Sequence, residues 1–214
     1  KRRTRRAKPA TGIPVSGLGS WILAVTAIIV VLGTFIVQDL QQLRGGRTAI
    51  HAAHLTQNGN VTEALLELQR AIDLAPGVSD YPIILFNLVR SSALGDDDLA
   101  NRRASLELGR EALIKYSERD PFDIATQQLL ALATVKLFEE GREDLRQEVI
   151  GRYINLGQSV PNFYDFQSVV GHGFLIAGDN ELALGAANYS ISLEQGKTYS
   201  WWVRGVALNN LGEH

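Results

Sequence analysis

The chain has 214 residues, 21 basic and 23 acidic side chains, a net charge of −2, and neither cysteine nor methionine. Disulfides and thiolate metal sites are therefore excluded, while the length suffices for a substantial core with something to spare. The charge is unevenly spread: "KRRTRRAK" carries six basic residues and no acid, leaving the remainder at −8, as expected when two regions face different surroundings.

The basic residues Lys1, Arg2, Arg3, Arg5, Arg6 and Lys8 fall in a tail over residues 1–17. Immediately after it, "LGSWILAVTAIIVVLGTFIV" supplies twenty residues without a charge, Leu18 to Val37. At about 1.5 Å per residue these span about 30 Å, the thickness of a bilayer's hydrocarbon core. The pattern predicts a transmembrane helix over 18–38, with Trp21 as an interfacial aromatic near the basic end. A secretory signal has a shorter apolar core and a small-residue cleavage site, and "VQDLQQLRGG" offers none. A soluble helix this apolar on every face needs a large core around it. Six cations before the helix, against Arg44 and Arg47 after it, predict a cytoplasmic N-terminus and a periplasmic or extracellular remainder. A basic run can also meet nucleic acid. Directly before an apolar helix it reads as a topology signal that touches anionic lipid, so the bilayer is the expected partner and nucleic acid is not.

A linker is expected over 39–46, and helical periodicity governs 47–214. "GNVTEALLELQRAIDLAP" places Ala64, Leu65, Leu68, Ala71, Ile72 and Leu74 on one face of a helix, which Pro76 stops. Glycines recur just after helical segments, at Gly59, Gly95, Gly141, Gly178 and Gly212, at intervals of 36, 46, 37 and 34 residues, a spacing that signals stacked repeats. Ala64, Ala71 and Pro76 follow Gly59 at the offsets by which Ala183, Ser190 and Gln195 follow Gly178. Seven residues before Gly59, Gly178 and Gly212 stand the small residues Ala52, Gly171 and Gly205. Small side chains there let antiparallel helices approach closely.

On these residues the region from about Gly45 onward resembles the tetratricopeptide repeat (TPR). "GNVTEALLELQRAIDLAP" matches the second half of that motif and "YSWWVRGVALNNLGEH" the first, while "FQSVVGHGFLIAGDNELALGAANYSISLEQ" supplies a nearly complete unit. The resemblance implies an all-α fold: one transmembrane helix followed by a TPR-like solenoid of about four and a half helix pairs, the last incomplete. The middle units depart from the motif. "LGDDDLANRRAS" lengthens the second by about ten residues, Tyr116 stands where a small residue is expected, the third unit loses most small positions, and Arg204 replaces a leucine. A final half-unit ending at Gly212-Glu213-His214 is expected either to continue in a longer chain or to serve as a lone capping helix, and the lack of an initial methionine is expected of a sequence that does not begin at the genetic start.

No nucleotide-binding loop, nucleophile elbow or zinc motif occurs. His51 and His54 share a helical face without a third ligand. Asp96 to Asp98 lack calcium-loop spacing and read as capping residues. Asn60-Val-Thr and Asn188-Tyr-Ser match the glycosylation pattern but fall in helical segments. No metal, cofactor or catalytic function is expected. The resemblance implies a concave face lined by the first helix of each unit, which points to Asp80, Asn87, Arg90, Gln128, Asp165, His172, Tyr199, Trp202 and Asn209 as partner-binding residues. It implies a scaffold or accessory subunit that holds other proteins of a membrane or envelope complex. The order of apolar helix, linker and divergent repeats is also similar to the C-terminal tail of O-antigen ligase and polymerase proteins, whose catalytic part would then be absent here.

Overall fold

The computed structural model describes residues 17–212, with side chains from Thr26 onward except that of Leu94. The basic cluster from Lys1 to Lys8 lies outside the described residues. The chain divides after Leu43 into two units.

Among the described residues the regular structure is entirely helical. The helices are α1 (Gly17–Gln57), α2 (Val61–Leu74), α3 (Asp80–Leu94), α4 (Leu99–Ser117), α5 (Ile124–Glu139), α6 (Arg146–Ser159), α7 (Tyr164–Ile176), α8 (Asn180–Leu193) and α9 (Thr198–Leu211), with a 3-10 turn at Glu143–Leu145 before α6.

In the first unit, every side chain from Thr26 to Leu43 is exposed, including Ile28, Val30, Leu32, Phe35 and Val37. This part of α1 contains a stretch long and apolar enough to cross a membrane, with a mean hydropathy of 1.5. The Thr34 hydroxyl donates to the Val31 carbonyl at 2.7 Å, so this polar group is satisfied within the helix.

The residues expected to form a linker, 39–46, are helical and lie within α1. "DLQQLR" is built of good helix formers. Gly45, the second residue of the second unit, is buried: a Cβ there would stand 2.9 Å from the Ala75 Cβ and 3.3 Å from the Tyr81 ring. The glycine is a packing requirement, and that contact offsets its poor helix propensity.

From Arg44 onward the helices pair in chain order, and in three of the pairs a left-handed glycine makes the turn. Gly59, Gly141 and Gly178 adopt φ of +80°, +90° and +74°, the left-handed conformation that favours glycine at a helix C-terminus. The hydrogen bonds around them repeat. Asn60, Arg142 and Asp179 each donate a backbone N–H across the turn, to the carbonyls of Leu55, Leu137 and Phe174 at 2.9, 3.0 and 2.9 Å. Gly95 differs, with φ of −100°. Its turn is longer, and Asp98 caps the next helix by accepting from the Ala100 N–H at 2.8 Å. The extra residues of the second unit are thus spent on the loop and on a 19-residue α4.

The expected small positions carry the packing. Ala52, Ala64, Ala71 and Ala183 are buried, and Gly171 is the closest approach among them. A Cβ at Gly171 would lie 3.0 Å from Val203 Cγ1, 3.3 Å from the Ala183 carbonyl and 3.5 Å from the Ala186 Cβ. The divergent middle units recover close packing elsewhere: Gly109 of α4 lies against Phe86, and Gly173 of α7 against the Tyr153 ring. Tyr116, where a small residue was expected, is itself buried. Ser190, at the place of an alanine in the first pair, is fully buried and donates to the Tyr164 carbonyl at 2.8 Å, with Ser200 Oγ at the same distance, so its polarity is satisfied. Gly205 departs from expectation. It is exposed, and a Cβ there meets nothing within 4 Å, because α9 packs against α7 and α8 and no described helix covers its other side.

Candidate functional site

The first helices α3, α5, α7 and α9 touch in succession, while direct contact between successive second helices is less extensive among the described residues. Helices set closer together line the inner side of a curved stack. The expected partner-binding residues are therefore measured against this first-helix face.

Three of them meet. His172 of α7 lies between Tyr199 and Trp202 of α9, with ring centroids 5.9 and 5.4 Å away in edge-on contacts at 82° and 72°. Tyr199 and Trp202 are stacked, 5.5 Å apart with 14° between their planes. They stand one helical turn apart on one helix, which is why both reach the same neighbour. The two rings remain 42% and 47% exposed. A stacked, half-exposed pair held by a third ring is preorganised: little side-chain freedom is left to lose when a partner covers it.

The electrostatics keep this cluster neutral. Burial pushes the His172 imidazole below its ordinary range, with Glu139 opposing and Lys136 adding to the effect. His172 is therefore uncharged at neutral pH. Burial also pushes the Tyr199 hydroxyl up, so it stays a protonated donor. Lys136 and Glu139 of α5, which influence the histidine, are paired at 2.6 Å with both side chains well exposed. They border the aromatic cluster and were not anticipated from sequence, since the motif positions carried over for α5 gave only Gln128.

The other expected residues stand apart. Asp80 and Asn87 are exposed on α3, Gln128 on α5, Asp165 at the start of α7 and Asn209 near the end of α9. Arg90 is partly buried and lines a cavity on the α3 side. Trp201 lies beside the cluster: its indole N–H donates to the Gln195 carbonyl at 2.9 Å, and Arg204 sits 5.4 Å from its ring centroid. Arg204 also donates to Asn188 Oδ1 at 3.0 Å. Thus the arginine that replaces a motif leucine holds a tryptophan and ties α9 to α8. His51 and His54 are exposed, and no group of three or more metal-ligating side chains occurs among the described residues.

Paired antiparallel helices joined by left-handed glycine turns define a TPR-like helical repeat. Solved structures agree on the fold. A crystal structure of the MamA protein superposes with a TM-score of 0.57 at 15% identity, over 82% of this chain and 83% of that one. A second, MamA AMB-1, gives 0.55 at 14% identity, over 80% and 85%. A thermophilic TPR protein of Thermus thermophilus aligns at 14% identity over 78% of this chain and 83% of that one, with a TM-score of 0.48; the repeat assignment rests on the helix pairing itself. No family model and no curated protein matches the sequence. The similarity to O-antigen ligase tails is not shown by these comparisons.

Proposed function

We propose that the chain is a membrane-anchored scaffold or accessory subunit. Residues 18–38 cross the bilayer once, the basic tail stays in the cytoplasm, and the repeats hold a protein partner in a membrane or envelope complex on the far side. The absence of charge from Leu18 to Val37 and the exposed apolar surface of α1 support the anchor. Confinement to a membrane raises the effective concentration of partners in the same membrane, so weak contacts on the repeats suffice.

The observation that carries the binding half is the meeting of His172, Tyr199 and Trp202 on adjacent first helices, with both larger rings half exposed. Aromatic side chains fixed in this way are the usual anchors of protein interfaces. The test replaces Tyr199 with a photo-crosslinking phenylalanine analogue in cells, with the same analogue at Leu66, exposed on α2, as control. A discrete adduct formed from position 199 and not from 66 is expected. Equal adducts from both positions, or none from 199, refute the assigned face.

A further inference from the structure

The loops that lead into successive first helices lie along one edge of the repeats. Gly45 touches Ala75 and Tyr81, which flank the loop 75–79. A small cavity is lined by Pro76 and Pro82 on one side and by Lys115 and Arg119, at the end of α4, on the other. A second cavity joins Pro121 and Phe122 of the loop 118–123 to Asn155 and Ser159, where α6 runs into the loop 160–163. Gln167 holds that loop by donating to the Val160 and Pro161 carbonyls at 3.2 and 3.3 Å. Lys197, in the loop 194–197, lies 4.6 Å over the Tyr164 ring at the start of α7. These four loops therefore form a row that begins beside Arg44.

Aromatic side chains stand out from the row. Phe122 is 89% exposed, more than any other large apolar side chain among the described residues. Its loop is fixed from within: Asp120 accepts from the Phe122 N–H at 3.3 Å, and Asp123 caps α5 by accepting from the Ala125 N–H at 3.2 Å. Phe163, half exposed in the next loop, has its ring 5.7 Å from that of Tyr164 and 6.3 Å from that of Phe166. Trp201 is also half exposed, and its indole bond to the Gln195 carbonyl ties it to the last loop. A lone exposed phenylalanine is ordinary, but three rings along one edge make a surface. The opposite turns, 58–60, 95–98, 140–142 and 177–179, carry no aromatic residue and hold five acids against one base.

We propose that this edge rests on the bilayer, with Phe122, Phe163 and Trp201 seated among the lipid headgroups. Chain length supports the assignment. With residues 18–38 in the membrane, Arg44 stands six residues past the end of the span, no more than about 22 Å from it even when fully extended. The row of loops begins there. Aromatic rings concentrate at the membrane–water interface. The inference rests on the single span proposed above and adds a second contact, so that the membrane sets the orientation of the repeats as well as the position of one end. The four loops carry four acids and two bases, so the attraction is apolar and needs no anionic lipid. Asp120 and Asp123 beside Phe122 keep the contact shallow.

The test uses the full chain, which has no cysteine of its own, in vesicles of neutral phosphatidylcholine. Single cysteines at Ile29, Phe122, Asn162 and Asn58 carry a polarity-sensitive fluorophore. Nitroxide-bearing lipids quench it, either at mid-chain or just below the headgroup. Ile29 lies in the span, Asn162 beside Phe163, and Asn58 is exposed on the opposite edge. The label at 29 should be quenched by the mid-chain nitroxide, those at 122 and 162 by the shallow one, and that at 58 by neither. In the Asn162→Cys chain, Phe122→Ser with Phe163→Ser should abolish quenching at 162 and leave the thermal midpoint unchanged, since both rings are exposed. Quenching at 29 without quenching at 122 overturns the edge contact, leaves the anchor standing, and makes a protein the occupant of the rings. No quenching at 29 overturns the anchor and this inference with it. Equal quenching at 58 and 122, or undiminished quenching at 162 in the serine variant, overturns the edge contact alone.

Discussion

Gly171 and Gly205 occupy equivalent places, seven residues before a turn glycine, yet they carry different physical burdens. At Gly171 two neighbouring helices leave 3.0–3.5 Å for a Cβ, and two of the three nearest atoms belong to a carbonyl and a valine that is itself buried. Gly171→Leu must push α8 or α9 away, and overpacking of this kind costs about 1–3 kcal/mol. For a chain of this size that lowers the thermal midpoint by about 2–12 °C. At Gly205 the same substitution enters open space and replaces glycine with a good helix former, worth up to about 1 kcal/mol in the favourable direction. Its midpoint should stay level or rise. Differential scanning calorimetry of both variants separates the cases, and an equal drop for both would refute the packing register. Burial also pushes the Tyr153 hydroxyl up to about 12, in keeping with a ring packed hard against Gly173 and edge-on to Phe174 at 6.4 Å.

Between elements, long charged side chains tie the helix pair α3–α4 to the pair α5–α6. Arg110 of α4 and Arg152 of α6 converge on Glu148, Glu107 pairs with Arg142, and Arg102 and Arg103 bond Glu140 at the end of α5. Burial acts to raise the Glu148 pKa, but the hydrogen bonds from Arg110 and Arg152 outweigh it and hold the carboxyl below its usual range. A carboxylate with a depressed folded pKa stabilises the fold above the unfolded value of about 4.3, and that contribution is lost as pH falls through the folded value. Glu148→Gln should therefore cost about 1–2 kcal/mol at pH 7, and the deficit against the parent should shrink as pH falls below about 4. Urea unfolding midpoints between pH 3 and 7 read this directly; a deficit independent of pH would show that the charge is not what matters. The part of this network that runs between helix pairs was not legible in the sequence. Apart from Arg152 and Glu148, which are four residues apart on one helix, its partners lie 35 to 38 residues apart, and which arginine meets which glutamate depends on how one pair is stacked on the next. The repeat itself was legible, because left-handed glycines and small contact positions are fixed by local backbone geometry and recur with the unit. His172, Tyr199 and Trp202 were each legible as positions on the first-helix face, but that their rings meet was not, because it depends on how α9 is set against α7. That residues 39–46 are helical was not legible, because Gly45 and Gly46 are poor helix formers and the contact of Gly45 with Ala75 and Tyr81 is distant in sequence.

At the scale of the whole chain the two units have opposite surfaces. The repeats bury their alanines, leucines and valines between paired helices, while α1 from Thr26 to Leu43 leaves every side chain uncovered. Water disfavours such a surface by roughly 25 cal/mol per Å² of apolar area, whereas a bilayer solvates it. The proposed orientation then follows from six cations on one side of the apolar stretch and a remainder at −8 on the other. The lack of cysteine makes this directly testable. A single cysteine at Ser192, exposed near the end of α8, should react with a membrane-impermeant maleimide in intact spheroplasts. One at Arg5 should react only after lysis. The reverse pattern refutes the orientation. Release of the Ser192→Cys protein by alkaline carbonate refutes the anchor, since a peripheral protein leaves the membrane under those conditions and a spanning helix does not. Labelling at both sites in intact spheroplasts refutes the single crossing, because one helix through a sealed bilayer cannot present its two flanks to the same side.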